Sequence, residues 1–117
     1  MNNEKLERIL YRFEIAAKAH YAALEEMNAD EAEHQARIIS QLFARIVNLG
    51  DRGRKGLLLL TLKHDKAVCG MAAAYSLRYR PEQALVVLRR LAKEEGLLGF
   101  RAGIAIQRWE AGEWDID

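Results

Sequence analysis

A chain of 117 residues, half hydrophobic and 30% charged, has the size and composition of one globular domain. Its single cysteine, Cys69, excludes an intramolecular disulfide, no apolar run is long enough to cross a bilayer, and Glu4 and Glu7 stand where a secretory leader would be basic and then apolar, so a cytoplasmic protein is expected. The net charge of +1 hides three blocks, −4 over residues 1–35, +9 over 36–108 and −4 over 109–117, a basic centre able to steer an acidic partner.

Leu6, Leu10, Phe13, Ala17, His20, Leu24 and Met27 recur at spacings of three and four and predict one apolar stripe on a long helix. Asn28 and Asp30 interrupt it, and Asp30 is the expected N-cap of a second helix carrying Ile38, Ile39, Leu42, Phe43, Ile46 and Val47. Gly50 is the expected residue just past its end. Gly53 and Gly56 then read as part of a flexible corner over 50–56 that carries Arg52, Arg54 and Lys55. Leu57–Lys63 predicts a brief apolar helix, and Asp65 the cap of a helix from Lys66 to about Tyr79. Pro81 suits the first turn of a fifth helix, with Ala84, Leu85, Leu88, Leu91 and Ala92 on one face and Gly96 at its end. Phe100 to about Glu110 makes the sixth. Period-two alternation is absent, so the expected fold is all-α with six helices: a single domain over 1–117, divided into an N-terminal helical pair (1–49) and two α-hairpins (52–114).

The stretch HDKAVCGMAAAYSL is thin for a segment that reads as buried. Set against FRAGIAIQRW at a spacing of 32, Val68 falls on Phe100, Cys69 on Arg101, Gly70 on Ala102, Ala72 on Ile104, Ala73 on Ala105 and Leu77 on Trp109. A repeated helix–turn–helix at that period predicts an α-solenoid, in which small residues admit the leucines of the neighbouring helix. Gly70 costs a helix interior up to about 1 kcal/mol relative to alanine, so close backbone approach is its expected reason.

These residues resemble the second-helix pattern of HEAT repeats, of the armadillo/HEAT superfamily. Asp65, Val68, Ala72, Ala73 and Leu77 fit, the leucine one residue late; Cys69 stands where the repeats usually carry arginine, and Arg101 restores it in the second copy. Residues from about 30 to 114 more closely resemble a small bacterial HEAT-like family described as a domain of unknown function. The matching positions are Leu59, Leu60, Leu62–Lys63–His64, Val68, Ala72–Ala73, Pro81–Glu82–Ala84, Gly99–Phe100–Ala102 and Trp109–Gly112. The resemblance implies a right-handed solenoid of α-hairpins without an assigned activity. Related small HEAT-like proteins serve as immunity partners of bacterial toxins, an analogy at the level of fold.

Residues capable of chemistry are few. Glu31 and His34 have a di-iron ligand spacing but no second Glu-x-x-His accompanies them, so no metal is expected. His20 lies on an apolar stripe and reads as a core histidine, and His64 adjoins a turn. Cys69 has no base oriented toward it by the sequence, and GDRGRKG lacks the spacing of a phosphate-binding loop. No catalytic, cofactor or metal site is therefore expected, and the function expected is non-catalytic protein binding by an immunity or inhibitor protein that neutralises a cognate toxin. Its partner-binding residues would be Cys69, Ser76, Tyr79, Arg101 and Arg108 on exposed second-helix positions, with Arg78 and Arg80 at the rim. Trp114 would anchor a partner or, the preferred expectation, fold back over the last helix. One alternative is nucleic-acid binding through Arg52, Arg54, Lys55, Arg78, Arg80, Arg89, Arg90 and Lys93, against which stand a near-neutral total and two acidic flanks. Another is a structural role, as monomer or homodimer, with the first helix as a seam.

Overall fold

In the computed structural model, which describes residues 2–114 and the side chains of 4–114, the chain is all-helical. Helices α1 (Asn2–Glu25), α2 (Ala29–Asn48) and α3 (Asp51–Leu59) are followed by a 3₁₀ turn (Leu60–Leu62), then α4 (Lys66–Ser76), α5 (Pro81–Leu91) and α6 (Leu97–Glu110); no strand occurs among the described residues. The chain gathers into two compact units that divide between Leu57 and Leu58.

The first unit is a helical hairpin built on a heptad pattern. On α1 the buried positions are Leu6, Ile9, Phe13, Ala16, His20 and Ala23, stepping alternately by three and four, with Ala17 beside them. On α2 the same alternation runs through Ala32, half-buried Gln35, Ile39, Leu42, Ile46 and half-buried Leu49, with Phe43 widening the seam. A 3.5-residue repeat on two helices joined by only three residues produces an antiparallel coiled-coil-type pair. The expected stripe needs adjustment at three places: Leu10 and Leu24 are half-buried, and Met27 is 90% exposed. Met27 instead ends α1. It takes φ +59°, the Asn28 N–H returns to the Ala23 carbonyl (2.8 Å) and the Met27 N–H to that of Leu24 (3.1 Å), a Schellman-type stop without glycine.

The cap of α2 is Asn28, not Asp30: Asn28 Oδ1 accepts from the Glu31 N–H at 3.1 Å. Asp30 is already helical, and its carboxylate sits in the first turn, where the positive end of the helix dipole favours it. Gly50 stands just past the end of α2 with φ +77°, as expected. The expected corner over 50–56 is instead the start of α3. Gly53 makes this possible, because a Cβ there would collide with the Ile46 carbonyl. It is a close-approach glycine within a helix, which composition alone reads as a loop signal.

In the second unit, Thr61 Oγ1 donates to the Leu58 carbonyl (2.7 Å) within the tight turn that ends the α3 segment. Asp65 caps α4 as expected, its carboxylate accepting from the N–H groups of Ala67 (2.9 Å) and Val68 (3.1 Å). Pro81 opens α5 as expected. Helix α4 ends at Ser76, short of Tyr79, and the Tyr79 and Arg80 N–H groups both return to the Ser76 carbonyl. Gly96, with φ +82°, caps the start of α6 rather than ending α5, and α6 begins at Leu97, three residues earlier than expected.

Helices α4, α5 and α6 pack on one another. Their shared core joins Cys69, Ala73 and Leu77 to Ala84, Val87, Leu88 and Leu91 and to Ala102 and Ala105. Half-buried Leu98, Ile106, Trp109 and Trp114 close it off. The four-residue connection makes α4 and α5 antiparallel, and Lys66 Nζ reaches Glu94 Oε1 (2.8 Å) across their open end. The 32-residue register holds at Ala73 and Ala105, both in this core, and breaks at Val68 and Phe100. Val68 is 0% exposed and Phe100 66%. The earlier start of α6 explains the break: Leu98, Ala102, Ala105 and Trp109 complete its inward stripe and turn Phe100 to the opposite side.

Candidate partner-binding face

Two of the expected surface residues lie in the interior. Cys69 is buried, and its Sγ donates to the Lys63 carbonyl at 2.7 Å. Burial pushes the thiol above its ordinary range; Arg90 opposes that shift and Asp65 adds to it. The thiol is therefore a neutral donor that ties α4 to the preceding turn, a role opposite to that of a low-pKa nucleophile. Ser76 is buried as well, with its Oγ lacking a hydrogen-bond partner. Neither side chain can meet a partner, because α4 turns both toward the core with Ala72 and Ala73.

The remaining expected residues fall into three groups. Arg78 is exposed and Tyr79 and Arg80 are half-buried in the α4–α5 connection, where Arg80 Nη1 donates to the Tyr79 carbonyl (3.2 Å). Trp114 packs against the α4–α6 core, so it folds back on its own chain. Arg101 and Arg108 are both exposed on α6, seven residues apart and therefore on one side of the helix.

What the sequence reading missed is the company these two arginines keep. Phe100 and half-buried Ile104, one turn apart, share their side of α6, together with exposed Gln107. Beside Phe100 and Gln107, the Gly103 position opens on empty space. The stretch from Phe100 to Arg108 carries no carboxylate of its own. The 32-residue register aligns Phe100 with Val68, which is buried; the usable signal is the phase of Leu98, Ala102, Ala105 and Trp109, which leaves Phe100 and Ile104 off the inward stripe.

Other surfaces are less coherent. On α1, exposed Tyr11 and Ile15 are interspersed with Glu4, Arg8, Arg12 and Lys18, charges of both signs. Among the residues of the nucleic-acid alternative, Lys55 pairs with Asp51 (3.4 Å) and Arg89 with Glu110 (3.5 Å). Glu31 accepts from Gln35 Nε2 (2.8 Å) while His34 is exposed, and no group of three or more His, Cys, Asp or Glu able to hold a metal gathers among the described residues. No helix among them is long and apolar enough to cross a membrane. No family profile, curated protein or solved structure matches the chain.

Proposed function

We propose that the protein is a non-catalytic binding module whose α6 face occludes another protein, in the manner of an immunity protein that neutralises a toxin. The observation that carries this reading is the exposure of Phe100 beside Ile104, Arg101 and Arg108 on a helix whose other side is held by the core. Aromatic residues and arginine dominate binding energy at protein interfaces. Presenting them on a packed helix lowers the ordering cost of association. The resemblance to HEAT-like domains, small relatives of which serve as immunity partners of bacterial toxins, agrees with it, and so does the Cys69 thiol, which burial pushes above its ordinary range, away from a nucleophile's.

The test is co-expression of the chain with the product of a neighbouring toxin-like reading frame. The two should co-purify as a complex, and toxin activity should fall in proportion to complex formed. Phe100→Ala should weaken the complex at least about tenfold, the scale of an interface hot spot, while leaving the helical content intact. Retention on duplex DNA or heparin that collapses with added salt, in the absence of any protein complex, would instead establish the nucleic-acid alternative.

A further inference from the structure

The chemistry of the α6 face also specifies what kind of protein it takes. We infer that its partner is an acidic amphipathic helix of a different protein, laid along α6 with its apolar seam on Phe100 and Ile104 and its carboxylates toward Arg101 and Arg108. The inference rests on the protein-binding reading above and adds the partner's shape and charge.

Three observations fix the occupant. First, Phe100, Ile104 and Gln107 follow the alternating four-and-three spacing by which one helix presents a seam to another, with Gly103 alongside. Phe100 is the knob, and the empty space at Gly103 is room for a side chain or the backbone of the facing helix. Second, Arg101 and Arg108 occupy the same heptad position at one flank of that seam, about 10 Å apart along the axis at 1.5 Å per residue. Flanking charges at that spacing select a partner helix by its own charges, here carboxylates seven residues apart. Third, the face is unsuited to a second copy of itself. Antiparallel pairing brings like flanks together and sets Arg101 against Arg108, whereas parallel pairing lays the arginine flank against the opposite flank at Gly103, which offers no carboxylate.

The probe is a pair of synthetic 21-residue helical peptides with leucine at the seam positions, one with glutamate and the other with lysine at the flanks, titrated into the isotopically labelled full chain. The glutamate peptide should shift the amides of residues 99–108 selectively, and the lysine peptide should bind at least about tenfold more weakly. Phe100→Ala and Arg108→Glu should each weaken the glutamate peptide about tenfold, one hot-spot contact or one reversed charge. Equal binding of both peptides, shifts confined to α1, or no response to the glutamate peptide would overturn the inference. Concentration-dependent shifts of the α6 amides without peptide would overturn it in favour of a second copy. The broader reading fails separately: a natural complex that forms undiminished with the Phe100→Ala, Arg108→Glu double variant keeps protein binding and discards this face, whereas no protein complex at all discards both.

Discussion

The α1–α2 hairpin and the α4–α6 cluster reach a closed core by opposite routes. The hairpin uses two long helices and large side chains in a strict heptad, with Phe13, Phe43, Ile39 and Ile46 all fully buried. The cluster uses helices of 11, 11 and 14 residues and fills its centre with Ala73, Ala84, Ala102 and Ala105 around Leu77 and Leu88. Large interlocking side chains make the hairpin sensitive to lost volume. Short helices depend on close approach, so the cluster is sensitive to added volume and to each buried polar atom.

The sharpest test of this difference is volume, removed from one unit and added to the other. Phe13→Ala should destabilise the hairpin by about 3–5 kcal/mol, the range for truncating a buried phenylalanine. Ala73→Leu should cost the cluster about 1–3 kcal/mol by overpacking. Urea denaturation followed by the amide exchange of each unit would read the two losses separately. If Ala73→Leu unfolds no earlier than the wild type, the cluster is not packed through its alanines.

The two units also differ in how far the sequence discloses them. Helix existence, the Asp65 cap and the Pro81 start were legible because each depends on residues within a few positions. Met27 was misread because it adopts a left-handed conformation that glycine or asparagine usually supplies. Gly53 was misread because its role is set by the Ile46 carbonyl, a contact visible only once two helices meet. The same applies to the candidate site. Arg101 and Arg108 were found by residue type and helical spacing, whereas Cys69 and Ser76 were assigned to the surface because small polar side chains at helical spacing do not reveal which side of α4 is covered. Phe100 was lost to a repeat register that fails once α6 begins at Leu97.

Two substitutions should raise stability, and both sharpen the account of α4. Ser76→Ala removes a buried hydroxyl that has no partner, with a gain of about 1 kcal/mol expected, at the low end of the desolvation cost of an unsatisfied buried group. Gly70→Ala should gain up to about 1 kcal/mol from helix propensity. The added Cβ would lie 3.4 Å from Leu91 Cδ1, an ordinary contact, so the structure does not require the glycine that the sequence reading linked to close approach. A lower melting temperature for Gly70→Ala would show that α4 and α5 are closer than this spacing.

The smallest effect expected is a pH dependence peculiar to the cluster. Burial raises the Cys69 thiol above its ordinary value of 9.0 and the Tyr75 hydroxyl above 10.0, so in both groups the folded state favours the protonated form. Well below pH 9 the folded and unfolded chains both keep these protons, and the stabilising contribution is fully present. Above it the unfolded chain releases the thiol proton first and gains stability relative to the folded one, so folding free energy declines with rising pH. Cys69→Ala deletes the thiol's share of that decline along with its hydrogen bond to the Lys63 carbonyl. The variant should be less stable than the wild type at pH 7, and the gap between them should narrow between pH 8 and pH 10. A gap that stays constant over that interval would mean the thiol titrates alike in both states, and that its bond to Lys63 does not keep it from solvent.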